Sequence, residues 1–368
     1  MDAHTTNPYF SASYWEARDR FRKSAESLGA TLLSYPIHAD GTDDLTIDVA
    51  TIAPSQSRAI LLSSALHGAE GFFGSAVQLA ILERIANSPH RPRVGYVLIH
   101  AVNPYGFARG RRFDQQNIDL NRNFHNAASD YTGAPAGYRS MNHFLNPQSP
   151  PSRMEPYKLK VLWNILRRGV PSFKESVAGG QYDYPEGIFF GGHGPSQSFE
   201  CIRDHCESWL RPFREIIHID FHSGLGKFGR YKLLLAEGLH SDAYPWYRDT
   251  FGLESVEPLS TANGTAYRVS GMFGDWMMKR FSDRTFRFVA AEFGTYSIVR
   301  VLGAIRAENR AHHYAHEDSD IYRMAKKELA ECFCPSDLRW RDGVVSSGLK
   351  IVGQAEQALA SDSLGTSP

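Results

Sequence analysis

Six stretches of the chain are almost continuously apolar, rich in β-branched residues and bounded by turn-forming residues. Strands have this composition when helices cover both faces of their sheet, because neither side of the strand then meets water. These runs constrain the fold more than any other feature of the sequence. They are LTIDVATI from Leu45, AILLSSAL from Ala59, VGYVLIHAV from Val94, IIHIDFHS from Ile216, YKLLLAEG from Tyr231 and FRFVAAEFG from Phe286.

Segments with helical spacing of their apolar residues lie between and around these runs. The clearest are residues 13–29, which end at a glycine, residues 73–87, with one apolar stripe, and residues 156–170. Strands that alternate with helices are typical of α/β proteins. The sequence therefore predicts an α/β fold with a mixed, mostly parallel central sheet and helices on both faces.

The organisation of the chain indicates one domain over residues 1–355, since no shift in composition divides it. Residues 126–198 are rich in Gly, Pro, Ser and Tyr. Apart from the helix after Pro156, we expect them to form a long irregular insert, and inserts of this kind commonly act as lids or binding loops. We predict that residues 356–368 are a disordered tail.

The composition argues against several classes of partner. The 40 basic and 40 acidic residues cancel, whereas nucleic-acid-binding proteins usually carry a basic excess. No apolar run is long enough to predict a membrane-spanning helix, and the N-terminal residues do not resemble a secretory signal. The four cysteines form no zinc-binding pattern. We therefore expect a cytoplasmic protein that binds neither nucleic acid nor membranes; its oligomeric state is open.

A possible metal site begins at His67 and Glu70, which are spaced as H-x-x-E directly after the run from Ala59. With 15 histidines and 40 acidic residues, chance alone supplies on the order of 1.6 such His-acid pairs, so the motif is weak by itself. Its position strengthens it, because α/β sheets place their binding sites at the carboxyl ends of strands.

His222, at the end of another apolar run, is the best candidate for a third ligand, and His218 and Asp220 share its strand face by period-two alternation. Hydrolytic zinc sites commonly use two histidines and one glutamate and leave a fourth position for water. The alternative is a strand-end histidine that bonds only to the backbone.

Two further segments place ionisable groups beside predicted strands. Residues 103–124 combine four arginines with asparagines and Asp119, and guanidinium groups suit carboxylates and developing oxyanions. Glu292 lies inside an apolar run, where a carboxylate is costly without a partner or a task. Burial would raise its pKa, which suits a general base. The alternative for residues 103–124 is a solvated basic loop. The alternative for Glu292 is a structural ion pair with an arginine.

Taken in chain order, the H-x-x-E, an arginine, the segment DLNR, a strand-end histidine and a later glutamate resemble the zinc carboxypeptidase family, the M14 metallopeptidases. The likeness covers residues 57–297. The stretches SYWEARDRF and GGQYDYPEGIFFGG resemble the bacterial DUF2817 subgroup. The resemblance implies that His67, Glu70 and His222 hold one Zn²⁺ ion, and that Glu292 acts as general base and then as acid.

The resemblance also implies roles for the residues around the metal. Arg112 would polarise the scissile carbonyl, with the adjacent Arg111 as the alternative. Asn121 and Arg122 would grip a substrate carboxylate. Asp119 would hydrogen-bond a ligand histidine and so fix its tautomer and orientation.

The function implied by the resemblance is hydrolysis of an amide bond next to a carboxylate-bearing residue of a small peptide. The alternative is deacylation of an N-acyl amino acid, since aspartoacylase-like and succinylglutamate-desuccinylase-like enzymes share the same ordered residues. A binding protein on an inactive peptidase scaffold and a divalent metal other than zinc also stay open. Tyr267 and Tyr296 are both candidates for the mobile tyrosine that caps the substrate in digestive carboxypeptidases.

Overall fold

The computed structural model describes residues 7–39, 42–53, 56–169, 179–259 and 270–361. Eight strands within these residues form one sheet. The strands are β1 (Thr31–Ala39), β2 (Thr42–Ile52), β3 (Arg58–Ser63), β4 (Gly95–His100), β5 (Glu215–Ser223), β6 (Tyr231–Gly238), β7 (Val256–Leu259) and β8 (Thr285–Phe293).

The strands lie in the order β1-β2-β4-β3-β5-β8-β6-β7. Parallel pairing joins β4 to β3, β3 to β5, β5 to β8 and β6 to β7, and antiparallel pairing joins β1 to β2, β2 to β4 and β8 to β6. The predicted mixed, mostly parallel sheet is therefore confirmed. Its central strands β3, β5 and β8 run side by side in one direction, so their carboxyl ends meet at one edge.

Helices cover both faces of this sheet. Among the described residues they are α1 (Tyr14–Ser27), α2 (Gly71–Ala86), α3 (Pro104–Arg109), α4 (Ala136–Leu145), α5 (Tyr157–Arg168), α6 (Gln197–Leu210), α7 (Tyr244–Phe251), α8 (Phe273–Arg280), α9 (Ile298–Tyr314), α10 (Asp320–Phe333) and α11 (Leu338–Ser361). The helices predicted from the sequence are α1, α2 and α5. Ser13 caps α1 by accepting a hydrogen bond from the backbone N–H of Glu16.

Alternate residues of the central strands face two separate cores. In β3, Ile60 and Leu62 belong to a core that includes residues of α2 and α11. Ala59 and Leu61 belong to the other core, with residues of α3, α6 and α8. Because both faces are apolar and covered, β3 has the near-continuous hydrophobic composition noted in the sequence.

The middle segment, residues 126–198, is more regular than the sequence predicted. In addition to α5 its described part contains α4, whose buried residues are Tyr138, Met141 and Leu145. The Tyr138 hydroxyl donates to the carbonyl of Ile188 at 2.6 Å and so ties α4 to the rest of the segment. Glycine, serine and asparagine among the apolar positions of α4 obscured its helical pattern. Residues 170–178 lie outside the described part.

The prediction of a disordered tail from residue 356 is wrong for residues 356–361, which form the last turns of α11. Ala355 and Leu359 are buried in the core that includes β3 and α2, and this packing holds the helix in place. Residues 362–368 lie outside the described part. All four cysteines are free.

No described helix combines the length and the apolar character needed to span a lipid bilayer. The cytoplasmic location of the protein stays a prediction.

Candidate metal centre

Three side chains meet at the carboxyl edge of the central strands. His67 lies in the loop that follows β3, and Glu70 lies at the start of α2. His222 is near the end of β5, which pairs with β3 through the register of Ser63 with Asp220. One ligand atom from each of the three, all buried, lies within 4.8 Å of the others. The structure therefore brings together the three residues that the sequence singled out as metal ligands.

The carboxylate of Glu70 lies between the two imidazoles. Its Oε1 is 2.9 Å from His67 Nδ1, and its Oε2 is 3.1 Å from His222 Nδ1. Burial alone would raise the pKa of Glu70, but the two histidines hold it at about 2. Burial would lower the pKa of His222, but Asp220, and then the Glu70 carboxylate, raise it well above its usual range. Each Nδ1 atom therefore points at a shared anionic centre.

The outer nitrogen of each histidine contacts a further carboxylate. His67 Nε2 is 3.2 Å from Asp119 Oδ1 and also 2.7 Å from Arg112 Nη2, and His222 Nε2 is 2.7 Å from Asp220 Oδ2. An imidazole that donates from Nε2 presents the lone pair of Nδ1, and metal-binding histidines are usually held in this way. The two Nδ1 atoms and the Glu70 carboxylate thus have the donor types of a zinc site, and the contact with Asp220 gives His222 the outer hydrogen bond of one.

Glu292 stands beside His222 on the adjacent strand. The register of the parallel strands β5 and β8 pairs the two residues directly. Glu292 Oε1 accepts a hydrogen bond from the backbone N–H of Leu225 at 2.8 Å. Burial, and then the negative charge of Glu70, raise the pKa of Glu292 to about 7. A carboxyl group with this pKa exchanges its proton readily near neutral pH, as a general acid or base must.

The structure separates the two adjacent arginines. Arg112 lies at the centre, with its Nε donating to Asp119 Oδ2 at 3.0 Å and its Nη1 3.7 Å from Glu70 Oε1. Arg111 points elsewhere and is fully buried, with its Nε donating to Glu308 at 3.0 Å. Only Arg112 of the two is placed to contact a group bound beside the metal ligands.

Asn121 and Arg122 lie on a 3₁₀ turn, Leu120–Arg122, at the rim of the centre. The Asp119 side chain caps this turn by accepting from the Asn121 backbone N–H at 3.1 Å. The side-chain oxygen of Asn121 accepts from the backbone N–H of Phe273 at 3.0 Å. Asp119 therefore fixes the turn, the Arg112 guanidinium and His67 at once.

A cavity of about 1020 Å³ opens onto these residues. It is lined by all of the predicted site residues except Asp119, and by side chains that the sequence analysis did not single out. These other side chains come mainly from β6, β8, α8, α9 and the middle segment. They include Val161, Ile165, Phe189, Leu235, Glu237, Asp275, Trp276, Phe288, Leu302 and Ile305. No local pattern marks them, because they converge only when distant parts of the chain pack together.

Of the two candidates for a capping tyrosine, one lies in the described part of the chain, and it does not line the cavity. Tyr267 lies outside the described residues. The Tyr296 hydroxyl donates to Glu331 at 2.5 Å, and the guanidinium of Arg300 stacks on its ring at 3.8 Å. Tyr296 is thus occupied in a surface cluster and does not line the cavity.

The fold and this site define an α/β protein with a buried His-Glu-His centre at the carboxyl edge of parallel strands. The model of the family described as "Protein of unknown function (DUF2817)" matches residues 10–347. The chain belongs to this family, as its resemblance to the subgroup predicted. No curated protein matches the sequence.

Several solved structures share a distant likeness with the chain. Bovine thrombin-activatable fibrinolysis inhibitor is 11% identical, with a TM-score of 0.47 over 94% of this chain and 99% of its own. Carboxypeptidase A from Helicoverpa armigera is 13% identical, with a TM-score of 0.46 over 89% and 77%. Succinylglutamate desuccinylase from Chromobacterium violaceum is 12% identical, with a TM-score of 0.40 over 88% and 73%.

Proposed function

We propose that the protein is a zinc-dependent hydrolase of carboxypeptidase type, which cleaves an amide bond next to a carboxylate-bearing residue. The observation that carries this proposal is the convergence of the His67, Glu70 and His222 ligand atoms within 4.8 Å, directly beside Glu292. Ligands, a base and a cationic side chain on one cavity form the set that metal-assisted hydrolysis requires.

The metal would be held by two imidazole nitrogens and one carboxylate. This donor set suits zinc, which commonly binds His₂Glu in hydrolytic sites and keeps one position open. When bound there, zinc would supply an acidic water and polarise a carbonyl oxygen. Metal content and specificity are measured by elemental analysis of the purified protein after reconstitution with different divalent cations.

Glu292 would take the proton from the attacking water and then deliver it to the leaving amine. The Leu225 N–H holds Glu292 Oε1 in place, so the other oxygen, Oε2, is the one available to the reaction. The pKa of about 7 matches both halves of this task, because the group must gain and lose a proton at similar pH.

Arg112 would stabilise the negative charge that develops on the carbonyl oxygen. Its hydrogen bond to Asp119 orients the guanidinium before substrate arrives, and a pre-oriented donor loses little free energy to reorganisation during the reaction. Removal of one such donor typically costs about 3–4 kcal/mol of transition-state stabilisation.

Asn121 and Arg122 would bind the substrate carboxylate beside the scissile bond. Arg122 is buried, lines the cavity and donates from Nη1 to the backbone carbonyl of Asn121 at 2.6 Å. A buried guanidinium with a fixed position suits a planar carboxylate, since it offers parallel donors. The pair would fix substrate geometry and take no part in proton transfer.

Substitution of Arg122 by Met is expected to raise KM for carboxylate-bearing substrates by about 10–100-fold. Loss of a hydrogen bond to a charged group costs about 1.5–3 kcal/mol, and each 1.4 kcal/mol is tenfold. The measurement is steady-state kinetics on a peptide and on its C-terminal amide. The amide should bind equally to both proteins; an equal loss on both substrates would contradict the role of Arg122.

The pH profile of kcat/KM is expected to have an acid limb that reports Glu292. The base must be ionised, so activity rises with pH through the pKa of Glu292 and levels off above it. A bound cation favours the carboxylate form, so the midpoint should lie at or below the value of about 7 set by burial and Glu70. A limb centred well above pH 7 would assign the titration to another group.

A second candidate is a deacylase of N-acyl amino acids. Val161 and Ile165 of α5, with Phe189, give the cavity an apolar lining, and concave, mostly apolar pockets with a few polar groups are typical of small-molecule sites. A panel of peptides and N-acyl amino acids, each assayed with and without a chelator, separates the two activities. A protein that binds one zinc per chain and hydrolyses neither class would instead be a binding protein.

A further inference from the structure

Behind His222, a chain of buried polar groups crosses from β5 to β3. His222 Nε2 is 2.7 Å from Asp220 Oδ2, and Asp220 Oδ1 accepts a hydrogen bond from the Ser63 hydroxyl at 2.6 Å. The same hydroxyl oxygen is 2.7 Å from His218 Nε2. Ser63, His218 and Asp220 are completely buried. The sequence predicted that the residues on β5 share a face but gave no role to Ser63.

The chemistry of these groups fixes the direction of each hydrogen bond that joins His218, Ser63, Asp220 and His222. A hydroxyl has one proton, and Ser63 gives it to the Asp220 carboxylate. Ser63 can then only accept from His218, so His218 carries its proton on Nε2. The second oxygen of Asp220 accepts from His222 Nε2, so the neutral ring, which is the form that binds a metal, has its lone pair on Nδ1.

The surroundings of His218 favour this arrangement. Its ring packs edge-on against Phe273 at 5.1 Å and Phe288 at 5.0 Å between ring centroids. Burial lowers the pKa of His218 to about 4, so the imidazole stays neutral. His218 Nδ1 has no hydrogen-bond partner, and a bare lone pair there leaves no N–H unpaired in apolar surroundings. The single proton therefore stays on Nε2.

We propose that Ser63 and His218 are positioning residues for the metal centre: they hold Asp220, and through it fix His222 in the tautomer and orientation that present Nδ1 to the metal. This inference rests on the proposed function, because it assumes that His222 is a metal ligand. It goes further in assigning a purpose to two buried polar residues that contact neither metal nor substrate.

The test is zinc affinity of the purified protein, measured by competition with a chromophoric chelator. Ser63→Ala is expected to weaken zinc binding by about 10-fold, the lower end of the range for residues that support a ligand from outside. Ser64→Ala is the matched control. Ser64 is the next residue and is equally buried, and its hydroxyl donates to Gln78 at 3.0 Å, away from Asp220, so loss of this hydroxyl should leave zinc affinity unchanged.

A second measurement follows the tautomer directly. In ¹⁵N-labelled wild-type protein loaded with zinc, NMR correlations of the imidazole rings should show protons on Nε2 of both His218 and His222. The pattern for His222 should be unchanged in Ser64→Ala and should broaden or shift in Ser63→Ala. Thermal unfolding of both variants shows whether any loss of affinity is only a loss of folded protein.

The possible results distinguish failure of the proposed function from failure of the positioning role alone. A wild-type protein that binds no zinc would overturn the proposed function itself. A wild-type protein that binds zinc, with Ser63→Ala and Ser64→Ala variants of equal zinc affinity, would overturn the positioning role alone. A proton on Nδ1 of His218 in the wild-type protein would also overturn it.

Discussion

The variant Glu292→Gln is expected to lose about 10²–10⁴-fold in kcat, the usual contribution of a positioned acid-base group, while it keeps one zinc ion per chain. Glutamine has nearly the same shape and retains an oxygen for the Leu225 N–H, so the loop beside the strand should not move. It cannot accept a proton at neutral pH. The measurements are steady-state kinetics on the best substrate of the panel and elemental analysis of zinc.

Asp114→Asn is a matched control for this variant. Asp114 is also a buried carboxyl group whose pKa burial raises to about 7, but it does not line the cavity. Its Oδ1 accepts from the backbone N–H groups of Gln116 and Ile118, and asparagine retains that oxygen. The control should keep wild-type activity. A Glu292→Gln protein with the wild-type rate would remove Glu292 from the mechanism.

The variant His67→Ala is expected to lower zinc affinity by more than the roughly 10–100-fold that follows loss of a supporting hydrogen bond. The substitution removes one of the three converging ligand atoms and leaves Glu70 without its 2.9 Å contact. Activity should fall with occupancy and return in part at high zinc concentration. Equilibrium dialysis against buffered zinc gives the affinity.

The control for this variant is His100→Ala. His100 is another fully buried histidine at a strand end, and its Nε2 lies 3.0 Å from the Ser75 hydroxyl, away from the ligand set. This protein should unfold at lower temperature but bind zinc as the wild type does. Equal zinc affinity of His67→Ala and the wild type would exclude His67 as a ligand.

Six strands and the fold class could be predicted because most of the sheet is buried on both faces. Strands of such a sheet are apolar at nearly every position, and these apolar runs are visible in the sequence. The strands that escaped prediction lack that signal. β1 is an edge strand with mostly exposed residues and a proline, Pro36, which an edge strand tolerates. β7 has only four residues. Among the helices, α9 also could not be predicted. It buries Arg306, Glu308 and Arg310, so its inner face carries charged residues and lacks the apolar stripe of a core helix.

The candidate ligands could be predicted because each stands next to a strand end, and the sheet brings those ends together. The choice between Arg111 and Arg112 could not be made from sequence. Adjacent residues point in different directions, and only the packing of Arg111 against Glu308 on α9 settles which one faces the cavity. The cavity wall was likewise beyond prediction, since its shape depends on how distant segments pack.

The pairing of β5 with β8 brings together two residues that are far apart in the sequence, and much of the cavity wall comes from the chain between them. His222 and Glu292 are neighbours in the sheet, yet the chain between them makes a long excursion. Its described part forms β6, α7, β7 and α8, and β6 and β7 extend the same sheet beyond β8. Much of the cavity wall comes from that excursion, including Leu235, Glu237, Asp275 and Trp276. Insertions or deletions in that segment would change the shape of the cavity without moving His222 or Glu292, because the register of β5 and β8 fixes those two residues.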